Sequence, residues 1–140
     1  MEKLIYLDTN IYLDYLENRT DKLRSLGEFA FQLIKRTIEC EFKIIISGLI
    51  IKELINNINE NRIKELFKTL KKNNKIIKTE LTEEDKINAI KIQKERKTSF
   101  NDTLHAIIAH KLKADYLVTR NIKHFYKLND LVKIILPENL

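Results

Sequence analysis

Short uninterrupted apolar runs alternate along this chain with longer stretches in which apolar residues recur every three or four positions. Leu4–Leu7 is a short run of strand type that ends at Asp8, and Ile11, Tyr12, Tyr15 and Leu16 then mark one face of a helix over Asn10–Glu17. Leu23, Leu26, Ala30, Leu33, Ile34 and Ile38 predict a long amphipathic helix from Asp21 to about Cys40. Lys43–Ser47 is a β-branched strand broken by Gly48, after which Leu49–Asn57 resumes helical spacing. Arg62–Lys72 reads as a lysine-rich helix and Lys75–Lys78 as a short strand. Thr82-Glu-Glu-Asp85 and Ser99-Phe-Asn-Asp102 are both capping-box patterns, opening helices to about Arg96 and Lys113. Tyr116–Thr119 is a strand, Ile122–Tyr126 a helical turn, and Val132–Leu136 a last strand before Pro137. Strands that alternate with helices build βα units. The expected class is α/β, with a mainly parallel central sheet covered on both faces.

Composition narrows this picture. The 140 residues suit one continuous domain over 1–140, since no linker-like or low-complexity stretch divides them. With 44% apolar residues the chain can bury a core, and its two glycines and one proline argue against propellers and solenoids. A single cysteine, Cys40, excludes an internal disulfide and a multi-cysteine zinc site. No signal-peptide pattern opens the chain, and Ile44–Ile51, its longest apolar run, is too short to span a bilayer. A cytoplasmic protein without membrane contact is expected. The net charge of +6 permits a polyanionic partner without proving one.

Ligand sites in open α/β sheets lie at the carboxyl ends of strands. Asp8 ends the first strand, Glu53 lies in the helix after the second, and Asp102 opens the helix that feeds the Tyr116 strand. Asp115 begins that strand, roughly 13 Å from Thr119 at ~3.3 Å per residue, and so falls at the wrong end. If Asp8, Glu53 and Asp102 converge, their mutual repulsion demands protons or a cation, and oxygen-only ligation suits Mg²⁺ or Mn²⁺. Each residue also has a plain structural reading. Asp8 fits an N-cap, Asp102 the acidic member of its capping box, and Glu53 an exposed helix position. His105 shares an apolar stripe with Ile108, Ala109 and Leu112 and reads as a hydrogen-bonded core histidine. His110 and His124 read as solvent-side, Tyr12 and Tyr15 as core or dimer packing, and the Lys71-Lys72 and Lys94–Lys97 clusters as solvated helix faces. No GxGxxG, GxxxxGK[ST] or GxSxG pattern occurs, so dinucleotide, P-loop and serine-hydrolase readings lack their essential loop.

Four segments together resemble the PIN-domain ribonucleases. They are Leu7-Asp8-Thr9-Asn10 after the first strand, Glu53 after the second, Asn101-Asp102-Thr-Leu-His105-Ala-Ile-Ile-Ala109, and Ala114-Asp-Tyr-Leu-Val-Thr119-Arg-Asn121-Ile-Lys-His-Phe125. The resemblance covers nearly the whole chain. It implies a three-layer α/β/α sandwich and a Mg²⁺- or Mn²⁺-dependent endoribonuclease leaving 5′-phosphate and 3′-hydroxyl ends. Members of this size resemble VapC toxins, which implies a cognate antitoxin and a homodimer. By motif match, Asp8, Glu53 and Asp102 correspond to the metal-binding carboxylates, Thr119 to a hydroxyl position and Asn10 to a supporting polar position. Asn121 departs from the pattern, because many members carry aspartate there. A neutral amide contributes less attraction for a second ion.

The resulting expectation is an RNA endonuclease. Asp8, Glu53 and Asp102 hold metal, Thr119 and Asn121 orient water or phosphate, and Arg120 and Lys123 contact the RNA backbone. The alternatives are an RNA-processing nuclease without an antitoxin, or a weakly active or inactive module that binds RNA or protein. Asn121 favours the second. A phosphatase with an aspartyl nucleophile is disfavoured, because position 10 is asparagine where such enzymes carry Asp-x-Asp.

Overall fold

The computed structural model describes residues 2–21 and 24–140. In chain order the elements are β1 (Lys3–Leu7), α1 (Thr9–Glu17), β2 (Thr20–Asp21), β3 (Arg24–Ser25), α2 (Leu26–Ile38), β4 (Phe42–Ser47), α3 (Gly48–Ile55) and α4 (Glu60–Lys72). They continue as β5 (Ile76–Thr79), α5 (Glu83–Arg96), α6 (Phe100–Lys111), β6 (Tyr116–Val118), α7 (Ile122–Phe125) and β7 (Ile134–Ile135). Among the described residues the main sheet has five strands in the order β5-β4-β1-β6-β7, and every neighbouring pair is parallel. The expected "mainly parallel" sheet is thus wholly parallel, and the fold is the three-layer α/β/α arrangement.

The central strands show why. Ile5, Tyr6 and Leu7 of β1 and Ile44 and Ile45 of β4 are completely buried on both faces of the sheet, the condition under which strands read as continuous apolar runs. Each such side chain contributes about 1.5–3 kcal/mol through burial. A second, smaller cluster of Leu49, Ala89, Leu104 and Ile107 joins α3, α5 and α6. At the lower end of the sheet, Asp115 Oδ2 accepts from Leu4 N at 2.8 Å, and its backbone N donates to Leu4 O at 2.7 Å. Asp115 therefore pins the start of β1, at the end opposite to Asp8.

Several expectations need correction. The helix predicted from Asp21 to Cys40 begins only at Leu26, after the antiparallel ribbon that pairs Thr20 with Ser25 and Asp21 with Arg24; Leu23, assigned to that helix, lies outside the described residues. The physical reason is a tight return of the chain. Asn18 closes α1 in the left-handed region at φ 49°, and Gly27 N donates to Arg19 O at 2.9 Å. The helix of Leu49–Asn57 starts one residue earlier, at Gly48, because Ser47 caps it by accepting from Ile50 N at 3.2 Å. The last strand is confined to Ile134–Ile135, since Val132 and Lys133 belong to the turn that enters it. The capping box at Thr82–Asp85 forms in both directions. At Ser99 only half of one forms: Ser99 Oγ accepts from Asp102 N at 3.1 Å, with no return bond from the Asp102 carboxylate.

Gly27 is required by the same return. A β-carbon there would lie 2.7 Å from Asn18 Cα and would also press on the Asn18 side chain. Backbone cannot yield cheaply, so Gly27→Ala should destabilise by about 1–3 kcal/mol despite the better helix propensity of alanine. The urea midpoint measures this, and an unchanged midpoint would show that the return is not tightly packed.

Candidate functional site

The chain runs from β1 outward to β4 and β5, then returns to place β6 on the other side of β1. That reversal opens a crevice beyond the carboxyl ends of β1 and β6, the place where open α/β sheets take ligands. Asp8 and Thr119 are the residues that immediately follow the two strands, and Thr119 Oγ1 donates to Asp8 Oδ2 at 2.9 Å. Asn121 N in turn donates to Thr119 Oγ1 at 3.0 Å. Asp8 occupies the N-cap position of α1 but makes no side-chain cap bond, so its carboxylate serves the crevice and not the helix.

Glu53 enters from α3. Its Oε1 accepts from Thr9 Oγ1 at 2.7 Å and bonds His105 Nε2 at 2.7 Å. Behind it, His105 Nδ1 lies 2.6 Å from the Tyr6 hydroxyl, which lies 2.9 Å from Ser47 Oγ. One proton assignment satisfies every atom when Glu53 is ionised: Ile50 N–H to Ser47, Ser47 to Tyr6, Tyr6 to His105 Nδ1, and His105 Nε2–H to Glu53. Tyr6 is fully buried and His105 is 2% exposed, so this chain is shielded from water up to Glu53, where it meets the cleft. Both bonds fall on Oε1, and Glu53 Oε2 has no hydrogen-bond partner among the described residues.

Asp102 comes from the first turn of α6, and His124 Nδ1 lies 4.0 Å from its Oδ2. Asp8, Glu53 and Asp102 line one cleft of about 530 Å³, together with Asn10, Asn121 and His105. The electrostatics fit a shared acidic site. Burial pushes the Asp8 carboxyl up, and the charges of Asp102 and Glu53 push the same way, against the pull of His105 and the Thr119 hydroxyl. Burial also raises Glu53, but its bonds from His105 and Thr9 outweigh this and hold it below the usual carboxylate range. Three carboxylates facing one polar cleft form an oxygen-only donor set that suits a hard divalent cation. Among the described residues no group of three or more His, Cys, Asp or Glu side chains is arranged to hold a metal ion. The fit therefore rests on donor chemistry and shared charge.

The remaining expected residues are placed as follows. Lys123 is exposed on α7, whereas Arg120 donates Nε to Asp14 Oδ2 at 2.9 Å, so one edge of its guanidinium is already committed. Tyr12 is core, edge-on to Phe67, and Tyr15 stacks on Phe31. His105 is the hydrogen-bonded core histidine expected from its stripe, but its partner is Glu53, a role that the stripe alone did not reveal. Its position three residues after Asp102, on the same helical face, was the available signal. Thr9, Arg19, Asn56, Asn57 and Asn101 also line the cleft and were not singled out from the sequence. A larger groove of about 610 Å³ lies between α1, α2 and α4, and its lining carries Glu28 and Glu65 beside Arg62 but none of the expected site residues.

Comparison with known proteins agrees with this geometry. The PIN domain family model matches residues 5–131, and the chain belongs to the PIN domain family. Among solved structures, VapBC2 from Rickettsia felis, bound to a DNA fragment from their promoter, is similar at a TM-score of 0.67 and 17% identity, over 95% of this chain and 98% of that one. VapBC-1 from nontypeable Haemophilus influenzae is similar at 0.64 and 20% identity, over 96% and 98%. A toxin-antitoxin complex from Klebsiella pneumoniae is similar at 0.64 and 17% identity, over 95% and 97%. No curated protein sequence matches the chain.

The raised Asp8 carboxyl yields a stability prediction. A carboxyl with a raised folded pKa costs nothing below its ordinary value of 3.8 and loses stability as pH climbs through the folded value. Asp8→Asn removes that loss and keeps an oxygen for Thr119 to donate to. Metal-free Asp8→Asn protein should therefore melt at or above the wild type at pH 7, with the gap closing on acidification. A lower melting temperature at pH 7 would show that the Asp8 charge stabilises the fold.

Proposed function

We propose that this chain is a Mg²⁺- or Mn²⁺-dependent endoribonuclease of the VapC toxin type. The observation that carries this reading is the convergence of Asp8, Glu53 and Asp102 on one polar cleft at the switch point of a PIN-domain sheet. These three residues would hold the metal. Such an ion, when bound, lowers the pKa of a coordinated water and polarises a phosphoryl oxygen.

The protein supplies positioning. Thr119 fixes one oxygen of Asp8, while His105 and Thr9 fix one oxygen of Glu53, which leaves the second oxygen of each without a hydrogen-bond partner among the described residues. Asn121 offers an amide at the cleft wall, where it orients water or a phosphate oxygen. Asn10 is a supporting polar group, and Lys123 and the free edge of Arg120 supply charge for the RNA backbone. Water, and not the ribose 2′-hydroxyl, is the attacking group, so the products carry 5′-phosphate and 3′-hydroxyl ends.

Two surfaces support the partner assignments. The groove between α1, α2 and α4 exposes Phe31 and Ile38 and fits an amphipathic helix of an antitoxin. Ile55 of α3, Ile77 of β5, and Ile87 and Ile90 of α5 are exposed apolar side chains, available to a homodimer interface. Among the described residues no helix is long and apolar enough to cross a membrane, and we place the protein in the cytoplasm with its RNA substrate.

The test is cleavage of single-stranded RNA by the purified chain. Activity should vanish in EDTA, return with Mg²⁺ or Mn²⁺, leave 5′-phosphate ends, and fall at least a hundredfold in Asp8→Asn. Cleavage in EDTA with 2′,3′-cyclic phosphate ends would refute the mechanism. RNA binding without metal-dependent cleavage would favour a binding module, the reading to which the neutral Asn121 points.

A further inference from the structure

Among the described residues that line the acidic cleft, Arg19 is the only lysine or arginine. It does not neutralise the three carboxylates. Its Nε donates to Glu17 Oε2 at 2.8 Å, and its Nη1 lies 4.0 Å from Asp14 Oδ1. Its backbone is held at both ends: N donates to Asp14 O at 3.1 Å, and O accepts from Gly27 N at 2.9 Å. Asp14 itself is 2% exposed, and its Oδ2 takes Nε of Arg120 at 2.9 Å. Its Oδ1 is buried with no hydrogen-bond partner.

A buried carboxylate thus stands between two guanidiniums at the edge of an anionic cleft. Asp14 lies on the second turn of α1, Arg19 just beyond its end, and Arg120 directly after the Thr119 that holds Asp8. Each arginine spends one edge on the protein and has further N–H groups with no hydrogen-bond partner among the described residues. A guanidinium backed by a carboxylate is oriented before its ligand arrives, and its planar fork matches the oxygens of a phosphodiester. The rest of the lining is rich in amides, from Asn10, Asn56, Asn57, Asn101 and Asn121, and its one aromatic ring among the described residues, His105, is 2% exposed and bonded at both nitrogens, so it offers no face on which a base could stack. Grip on the backbone must therefore supply more of the binding than stacking does.

We propose that Arg19, held by Glu17, anchors a substrate phosphate next to the scissile one, and that Asp14 is the positioning residue that holds Arg120 by a hydrogen bond and draws Arg19 toward it by charge. This inference rests on the ribonuclease reading, and the experiment separates the two. Binding of a fluorescently labelled single-stranded RNA is measured by anisotropy in EDTA across a salt series, with cleavage kinetics in Mg²⁺ run in parallel. Arg19→Ala should weaken binding about tenfold, the size of one charge-assisted contact. It should also lower the salt slope by about 0.7, the value for one phosphate on a single strand.

In kinetics the same variant should raise KM and leave kcat within a few-fold. Arg19→Lys keeps the charge but not the fork, so it should retain the salt slope while binding less tightly than wild type. Asp14→Asn should lower affinity with both arginines still present, and Arg19→Ala keeps the proposal testable should that buried substitution unfold the protein. An Arg19→Ala variant with unchanged affinity and slope overturns the proposal. So does an equal loss in Lys91→Ala, an exposed lysine on α5, since the effect would then be general charge. Wild type that neither binds nor cleaves RNA overturns both readings, whereas wild type that cleaves with Arg19→Ala unaffected overturns the anchor alone.

Discussion

The buried hydrogen-bond chain Ser47–Tyr6–His105–Glu53 sets how this sheet can present its chemistry. It links the end of β4, the middle of β1, the interior of α6 and the second turn of α3, elements far apart in sequence. Tyr6 and His105 are polar groups buried beside the apolar core, and an unpaired polar atom there costs about 1–3 kcal/mol. The cost is avoided only if α6 sits with His105 against Tyr6 and α3 sits with Glu53 against His105. Satisfying the core therefore fixes the side chains that face the cleft. The Thr119–Asp8 bond does the same for the β1–β6 side of the crevice.

This arrangement accounts for the repulsion that the cleft tolerates. Asp8 is 5% exposed and faces two other carboxylates, an arrangement that favours protonation or a cation over the bare anion. A fold with no use for the charge would be better served by a neutral residue. On the proposed reading, stability is traded for a set of oxygen donors, the trade expected where strained electrostatics serve binding. The surrounding amides and the single arginine of the lining extend the polar character of the cleft without cancelling its charge.

Much of the fold was legible because its signals are local. The runs Ile5-Tyr6-Leu7 and Ile44-Ile45-Ile46, the Thr82–Asp85 box and the alternation of strand and helix each depend on neighbours in sequence, and the structure contains them. The ribbon of Thr20–Asp21 and Arg24–Ser25 was not legible, since a helical stripe beginning at Leu23 hides a return that only the contact of Gly27 with Asn18 explains. The three carboxylates were legible as candidates from their strand-end positions. The capping reading needed geometry to test it: Asp8 makes no cap bond, and Asp102 makes no return bond to Ser99. The links from His105 to Glu53, across 52 positions, and from Asp14 to Arg120, across 106, are tertiary contacts that no local pattern encodes.

The central claim is that carboxylates from separate elements share one cation. Asp102 tests it best, because its carboxylate takes no part in the Asp8–Thr119 and Glu53–His105 bonds. The direct measurement is the shift in melting temperature produced by Mn²⁺ in wild type and in Asp102→Asn, since ligand that binds only the folded state stabilises it by mass action. The account predicts a clear upward shift in the wild type, mostly lost in Asp102→Asn. Equal shifts in the two proteins would contradict it and would place any bound ion away from the cleft.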